Sequence, residues 1–234
     1  MKPSFIYIIF VLIFLICPNP GNAANADTCR GNITFDSTYV ISVNKSLPKY
    51  YIRLIEREDT SGKYTGWNYE LLLRTKLNGP IEQSICGQSD SPFDMMSDKE
   101  YPGIQFIDLN FDNYLDIKMF NNRAANGVNA GYAAYLFSPH SHRFNYNQVF
   151  SEILGGTGIA LDSSKHEIIS TGELGCMGGC WSTDTYKVHN DSLILIKSVH
   201  QDQDPEHPGK FILVTEELRG GKLIVISKKS VEWP

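Results

Sequence analysis

No run of lysine or arginine longer than the pair Lys228-Lys229 occurs in this 234-residue chain, in which 21 basic residues stand against 26 acidic ones for a formal net charge of −5. A chain without a basic patch lacks the electrostatic footprint that nucleic acid requires, which speaks against that class of partner. A mildly acidic surface suits a basic protein target instead. Sustained helical periodicity is also missing. The nearest approach, Asn147 to Leu154 ("NQVFSEIL"), offers at most two turns. Catalytic signatures are missing too. There is no G-x-S-x-G, no H-E-x-x-H and no cysteine beside a clear base. His166, His189 and His200 fall in separate segments, and the densest acidic cluster has its residues too close together to flank a glycosidic bond. The expectation is a protein that is not an enzyme.

One long apolar run is present, and only one. Phe5 to Cys17 ("FIYIIFVLIFLIC") follows Lys2 and ends at Pro18, Pro20 and Gly21. It falls short of the roughly 20 residues a spanning helix needs and reads as a secretory signal, with cleavage near Ala23 or Ala26. The expected organisation is a leader over 1–26, removed on export, and a single β domain over 27–234, with no membrane span. Cysteine is scarce, at five in all. The four beyond the leader are Cys29, Cys86, Cys176 and Cys180, an even number that in an exported chain favours two disulfides. Three pairings are open. Gly178 and Gly179 let "CMGGC" turn back on itself, favouring Cys176 with Cys180 and leaving Cys29 with Cys86. A zinc site is disfavoured, since no C-x-x-C is present. His140 and His142 read as a solvated turn.

What fills the chain is β structure. "YYIRLIE" (50–56), "YELLLRTKL" (69–77), "YAAYLF" (132–137), "DSLILIKSV" (191–199), "KFILVTEEL" (210–218) and "KLIVIS" (222–227) are short and rich in β-branched and aromatic residues. Asn78-Gly79-Pro80, Ser138-Pro139, Asn190-Asp191 and Gly220-Gly221 supply the turns between them. A loose hairpin pattern recurs at 69–85, 132–146, 186–199 and 211–227. The fold class is all-β, and the pattern leaves two architectures open: a β-sandwich, or a propeller with small blades.

Residues 108 to 116 read "DLNFDNYLD". Oxygen donors at alternate positions match the front of calcium loops, so Asp108, Asn110 and Asp112 are candidate ligands, with the Tyr114 backbone carbonyl and Asp116 after them. Asn113 stands where such loops place glycine, and asparagine tolerates the left-handed conformation required there. The bidentate glutamate that closes an EF-hand is missing. The competing reading is a hydrated Asx-type turn between two strands. Carboxylates this close repel one another, and a structural Ca²⁺ would relieve that.

"DLNFDNYLDIKMF", the Gly/Asn-rich loop after it, "YAAYLFSPHSHRF" with "SEI", and "GCMGGCWSTDTYKVHNDSLILIKSV" together resemble a family of bacterial periplasmic proteins. Its best-understood members are immunity proteins that inhibit lysozyme-like effectors delivered by an antibacterial type IV secretion system. The resemblance covers roughly residues 100 to 200. It implies a small β-propeller-like domain with five blades, and a partner that is a peptidoglycan hydrolase whose active-site cleft is blocked. In that family an exposed loop tyrosine approaches the catalytic carboxylates. Here the loop 121–131 ("NNRAANGVNAG") has no tyrosine. The expected contacts are Arg123, which suits a carboxylate bidentately, together with Asn126, Asn129 and, at the loop's end, Tyr132. The rival expectation is a calcium-stabilised binding module for a glycan or an envelope protein, with Trp67 and Trp181 as stacking platforms.

Overall fold

The computed structural model describes residues 31–59, 66–90, 92, 103–123 and 129–232. The leader over 1–26, with its cleavage sites, and Cys29 lie outside these residues. The described chain is all-β, arranged as three antiparallel sheets, each built from strands that follow one another in sequence.

The first sheet contains β1 (Asn32–Ile41), β2 (Tyr50–Asp59), β3 (Gly66–Arg74) and β4 (Gln83–Ser89). The second contains β5 (Ile104–Ile107), β6 (Asp116–Arg123), β7 (Ala130–Ser138) and β8 (Arg143–Asn147). A six-stranded third sheet runs from β9 (Gly158–Asp162) through β10 (Glu167–Gly175), β11 (Cys180–His189), β12 (Ser192–Gln203) and β13 (Lys210–Arg219) to β14 (Lys222–Glu232). Among the described residues the one α-helix, α1 (Gln148–Ile153), is the short turn expected at "NQVFSEIL". Asn147 caps it by accepting from the Phe150 backbone N–H at 3.1 Å, satisfying a donor that the first turn leaves open.

The hairpins follow the turn chemistry. Arg219 pairs with Lys222, so Gly220 and Gly221 form a two-residue connection, and both have positive φ (59° and 79°). Glycine reaches that region without a Cβ clash, and a turn of this twist matches the strands it joins. Each of the four anticipated hairpins pairs as expected: β3 with β4, β7 with β8, β11 with β12, and β13 with β14. His140 and His142 are exposed in the turn between β7 and β8.

Three sheets are found where the resemblance implied five blades, and no closed barrel or propeller is assigned among the described residues. One hydrophobic cluster nonetheless draws on all of them. Ile52, Leu54 and Leu71 come from the first sheet, Ile117, Met119 and Phe120 from the second, and Ile168 and Val188 from the third. The third sheet is the least buried, and along β14 Leu223 to Ile226 are all exposed. Gln83 joins the first two sheets by bonding both backbone groups of Phe144, at 2.6 and 3.0 Å. The second and third sheets are joined by the backbone bridge of Ala130 to Gly156.

Candidate functional site

The nine-residue stretch 108–116 connects β5 to β6, and its side chains fold back onto its own backbone. Asp108 accepts from the Asp112 and Asn113 N–H groups at 3.1 and 2.9 Å, and Asp112 accepts from the Tyr114 N–H at 2.9 Å. Asn113 has the left-handed backbone expected of it (φ 68°), and Phe111 shares that conformation (φ 61°). A bulky residue there is unusual, and it is held by what surrounds it.

Those surroundings come from both other sheets. From the connection between β1 and β2, Asn44 donates its amide to the Asn113 carbonyl at 2.8 Å, and the Val43 carbonyl accepts from the Leu115 N–H at 2.9 Å. From the turn between β9 and β10, the His166 ring stacks on Phe111, with centroids 5.3 Å apart and planes 14° from parallel. From the turn between β11 and β12, Asp191 accepts from the Asn110 amide at 2.8 Å. The stretch is therefore where all three sheets meet. Nothing local in the sequence marks Asn44, His166 or Asp191 as members. Asp191 is legible only as half of an Asn-Asp turn.

Asp116 is used differently from expectation. It is fully buried, and its two oxygens accept from the Leu109 and Phe137 N–H groups, both at 2.8 Å. Burial pushes its carboxyl up to about 7, against the pull of those two donors, with the nearby charges of Asp112 and Asp108 adding to the rise. Asp112 is also raised, chiefly by burial.

The donor chemistry suits a hard cation: Asp108, Asp112 and Asp191 carboxylates, the Asn110 amide oxygen and the Tyr114 carbonyl are all oxygen ligands. The arrangement is that of a hydrogen-bonded turn. The Asn110 Nδ2 partners both Asp112 (3.0 Å) and Asp191, and among the described residues no three His, Cys, Asp or Glu side chains are grouped so as to hold a metal ion.

The expected partner contacts fare unevenly. Tyr132 is a correction: it is buried in β7 at 7% exposure, packs edge-on against Phe120, and lies under the Lys118 ammonium, whose Nζ is 3.8 Å from the ring centroid. Burial lowers the Lys118 pKa to about 8. A tyrosine so enclosed does not project into a partner's cleft. Asn129 is likewise committed within the chain. Its amide donates to the Glu173 carbonyl at 2.7 Å and accepts from the Glu173 N–H at 3.0 Å, fastening the end of the loop to β10. Arg123 is the last residue of β6, opposite Ala130. Asn126 lies outside the described residues.

Cys176 and Cys180 form the expected disulfide, with Cα atoms 5.3 Å apart. Cys86 is half-buried in β4, and its expected partner, Cys29, lies outside the described residues. Trp67 and Trp181, the anticipated platforms, are both half-buried. No helix among the described residues is long and apolar enough to cross a membrane.

The fold has a solved counterpart. A Xanthomonas type IV secretion system related protein matches with a TM-score of 0.55 at 19% identity, covering 82% of this chain and 99% of its own. No family model matches the chain, and no curated protein does.

Proposed function

We propose that this protein is an exported, periplasmic immunity protein that binds a lysozyme-like peptidoglycan hydrolase and blocks its active-site cleft. The observation that carries the reading is the fold it shares with the Xanthomonas protein related to a type IV secretion system. The disulfide is compatible with an oxidising compartment, and the leader-like segment at the start of the sequence supports export. On this reading the consecutive hairpins are blades of a propeller-like domain, and inhibition is obstruction, with no chemistry performed by the inhibitor. Arg123, at the end of β6, and Asn126 remain the proposed contacts.

The same reading includes a structural Ca²⁺ at the 108–116 turn, held by Asp108, Asn110 and Asp112 with the Tyr114 carbonyl, and with Asp191 added from the third sheet. The ion would neutralise carboxylates that now raise one another's proton affinity.

Clearing of a peptidoglycan suspension by a panel of lysozyme types, with and without the purified protein, tests the function. Stoichiometric protection against one type supports an inhibitor. Protection against none overturns it, and retention on a glycan array would then favour a binding module.

A further inference from the structure

The β10–β11 hairpin ends in a covalently closed tip. Cys176 to Gly178 form a single 3₁₀ turn, and the disulfide to Cys180 shuts it. At the apex Met177 is 93% exposed, and Leu174, at the end of β10, is 59% exposed. Both Cys176 and Met177 have left-handed backbone (φ 55° each). That conformation is unfavourable for a residue that carries a side chain, so it persists only where the surroundings impose it.

Three restraints impose it here. One is the disulfide. A second is Gln201 of β12, itself buried, whose amide donates to the Gly179 carbonyl at 2.8 Å. The third is the Asn129 amide, which grips both backbone groups of Glu173 just before the tip. Asn129 immediately precedes β7, so the tip is fastened to the start of that strand.

We propose that Met177, with Leu174 beside it, is an apolar knob that enters the cleft of the peptidoglycan hydrolase. This inference rests on the inhibitor reading and specifies how the inhibitor engages. The shape selects the occupant. A projecting tip is buried only by a concave surface, and two copies of this chain meeting tip to tip would bury little. The chemistry agrees. From Leu174 to Thr183 there is no charged residue, although the Glu173 carboxylate lies beside the turn, its Oε1 3.9 Å from where a Cβ on Gly178 would stand. A glycosidase cleft carries a pair of carboxylates, and an apex with no charge of its own limits like-charge repulsion with them. The flexible, polarisable thioether adapts to the aromatic and apolar walls of a sugar subsite. A backbone fixed before binding also loses little entropy on complex formation.

Two substitutions separate the knob from the fold. Met177→Gly removes the side chain at a backbone position glycine prefers, so the thermal midpoint should hold or rise. The dose needed for half-protection of the peptidoglycan suspension should increase at least about tenfold, the loss expected of an interface anchor. Met177→Leu, which keeps the apolar bulk, should recover most of that loss. If wild type protects against one lysozyme type and Met177→Gly protects at the same dose, the knob is refuted while the inhibitor reading stands. If wild type protects against no type in the panel, both fall together.

Discussion

Asp116 illustrates how a single carboxylate can sit in the core and still be paired. Its two backbone donors, on Leu109 and Phe137, favour the ion, while the loss of water around it favours the acid, and burial wins. The folded-state value of about 7 lies above the ordinary 3.8. Between these two values the folded protein binds more protons than the unfolded chain. Stability from this group is therefore fully present below pH 3.8, falls as pH rises, and levels off above 7. At 1.36 kcal/mol per pKa unit the fall is roughly 4 kcal/mol. Urea denaturation at pH 4.5 and 7.5 in the presence of EDTA should show the decline, and Asp116→Asn should flatten it. That variant should be the less stable of the two at pH 4.5, because one backbone N–H loses its acceptor at a cost of about 1–3 kcal/mol. Tyr132 makes the complementary case: Tyr132→Ala should cost about 3 kcal/mol in the same assay, as a large core truncation does. The sequence places Tyr132 at the edge of a loop, and only the sheet shows that its ring lies against Phe120 and beneath Lys118.

At the scale of elements, the turn over 108–116 was legible as a turn, and the left-handed Asn113 within it followed from residue chemistry alone. Spacing could not reveal that the carboxylates cap the turn's own N–H groups. Alternate acidic residues suit an Asx turn and a cation loop equally well, and the difference lies in where each oxygen points. Asp108→Ala with Asp112→Ala leaves the N–H groups of Asp112, Asn113 and Tyr114 without these acceptors. The pair should lower stability by about 2–4 kcal/mol, at roughly 1 kcal/mol per hydrogen bond. If Ca²⁺ binds, the thermal midpoint of wild type should rise with added calcium and that of the double variant should not; a wild-type midpoint indifferent to calcium refutes the ion. Among the strands, those rich in valine, isoleucine and aromatics stood out. β10 ("EIISTGELG") did not, because two glycines and alternating polar residues dilute its pattern.

For the whole molecule, consecutive hairpins gave the fold class but not the number or size of the sheets. Sheet membership depends on which hairpins pair edge to edge, and a six-stranded run and two shorter ones carry the same local signals. The contacts between sheets were equally hidden, since Gln83 with Phe144, Asn129 with Glu173 and Asn110 with Asp191 are ordinary polar residues until they meet. Asn110→Ala and Asp191→Ala, alone and together, should show a coupling of about 1 kcal/mol if that bond ties the second sheet to the third. Independent, additive losses would mean that the sheets are held by the apolar core alone.

The turn at 108–116 also has a history within each molecule. Its internal caps link residues two to five apart, whereas the bonds that finish it reach 69 residues back to Asn44 and 81 residues forward to Asp191. Closing loops of that length is entropically slow, so the short-range bonds form early and the long-range ones late. A chain emerging amino-terminus first would have this corner curled and held only from the Asn44 and Val43 side until the β11–β12 hairpin arrived. In pulse-labelled refolding, the Tyr114 amide should be protected before the Leu115 amide, which waits for Val43 to arrive from the first sheet.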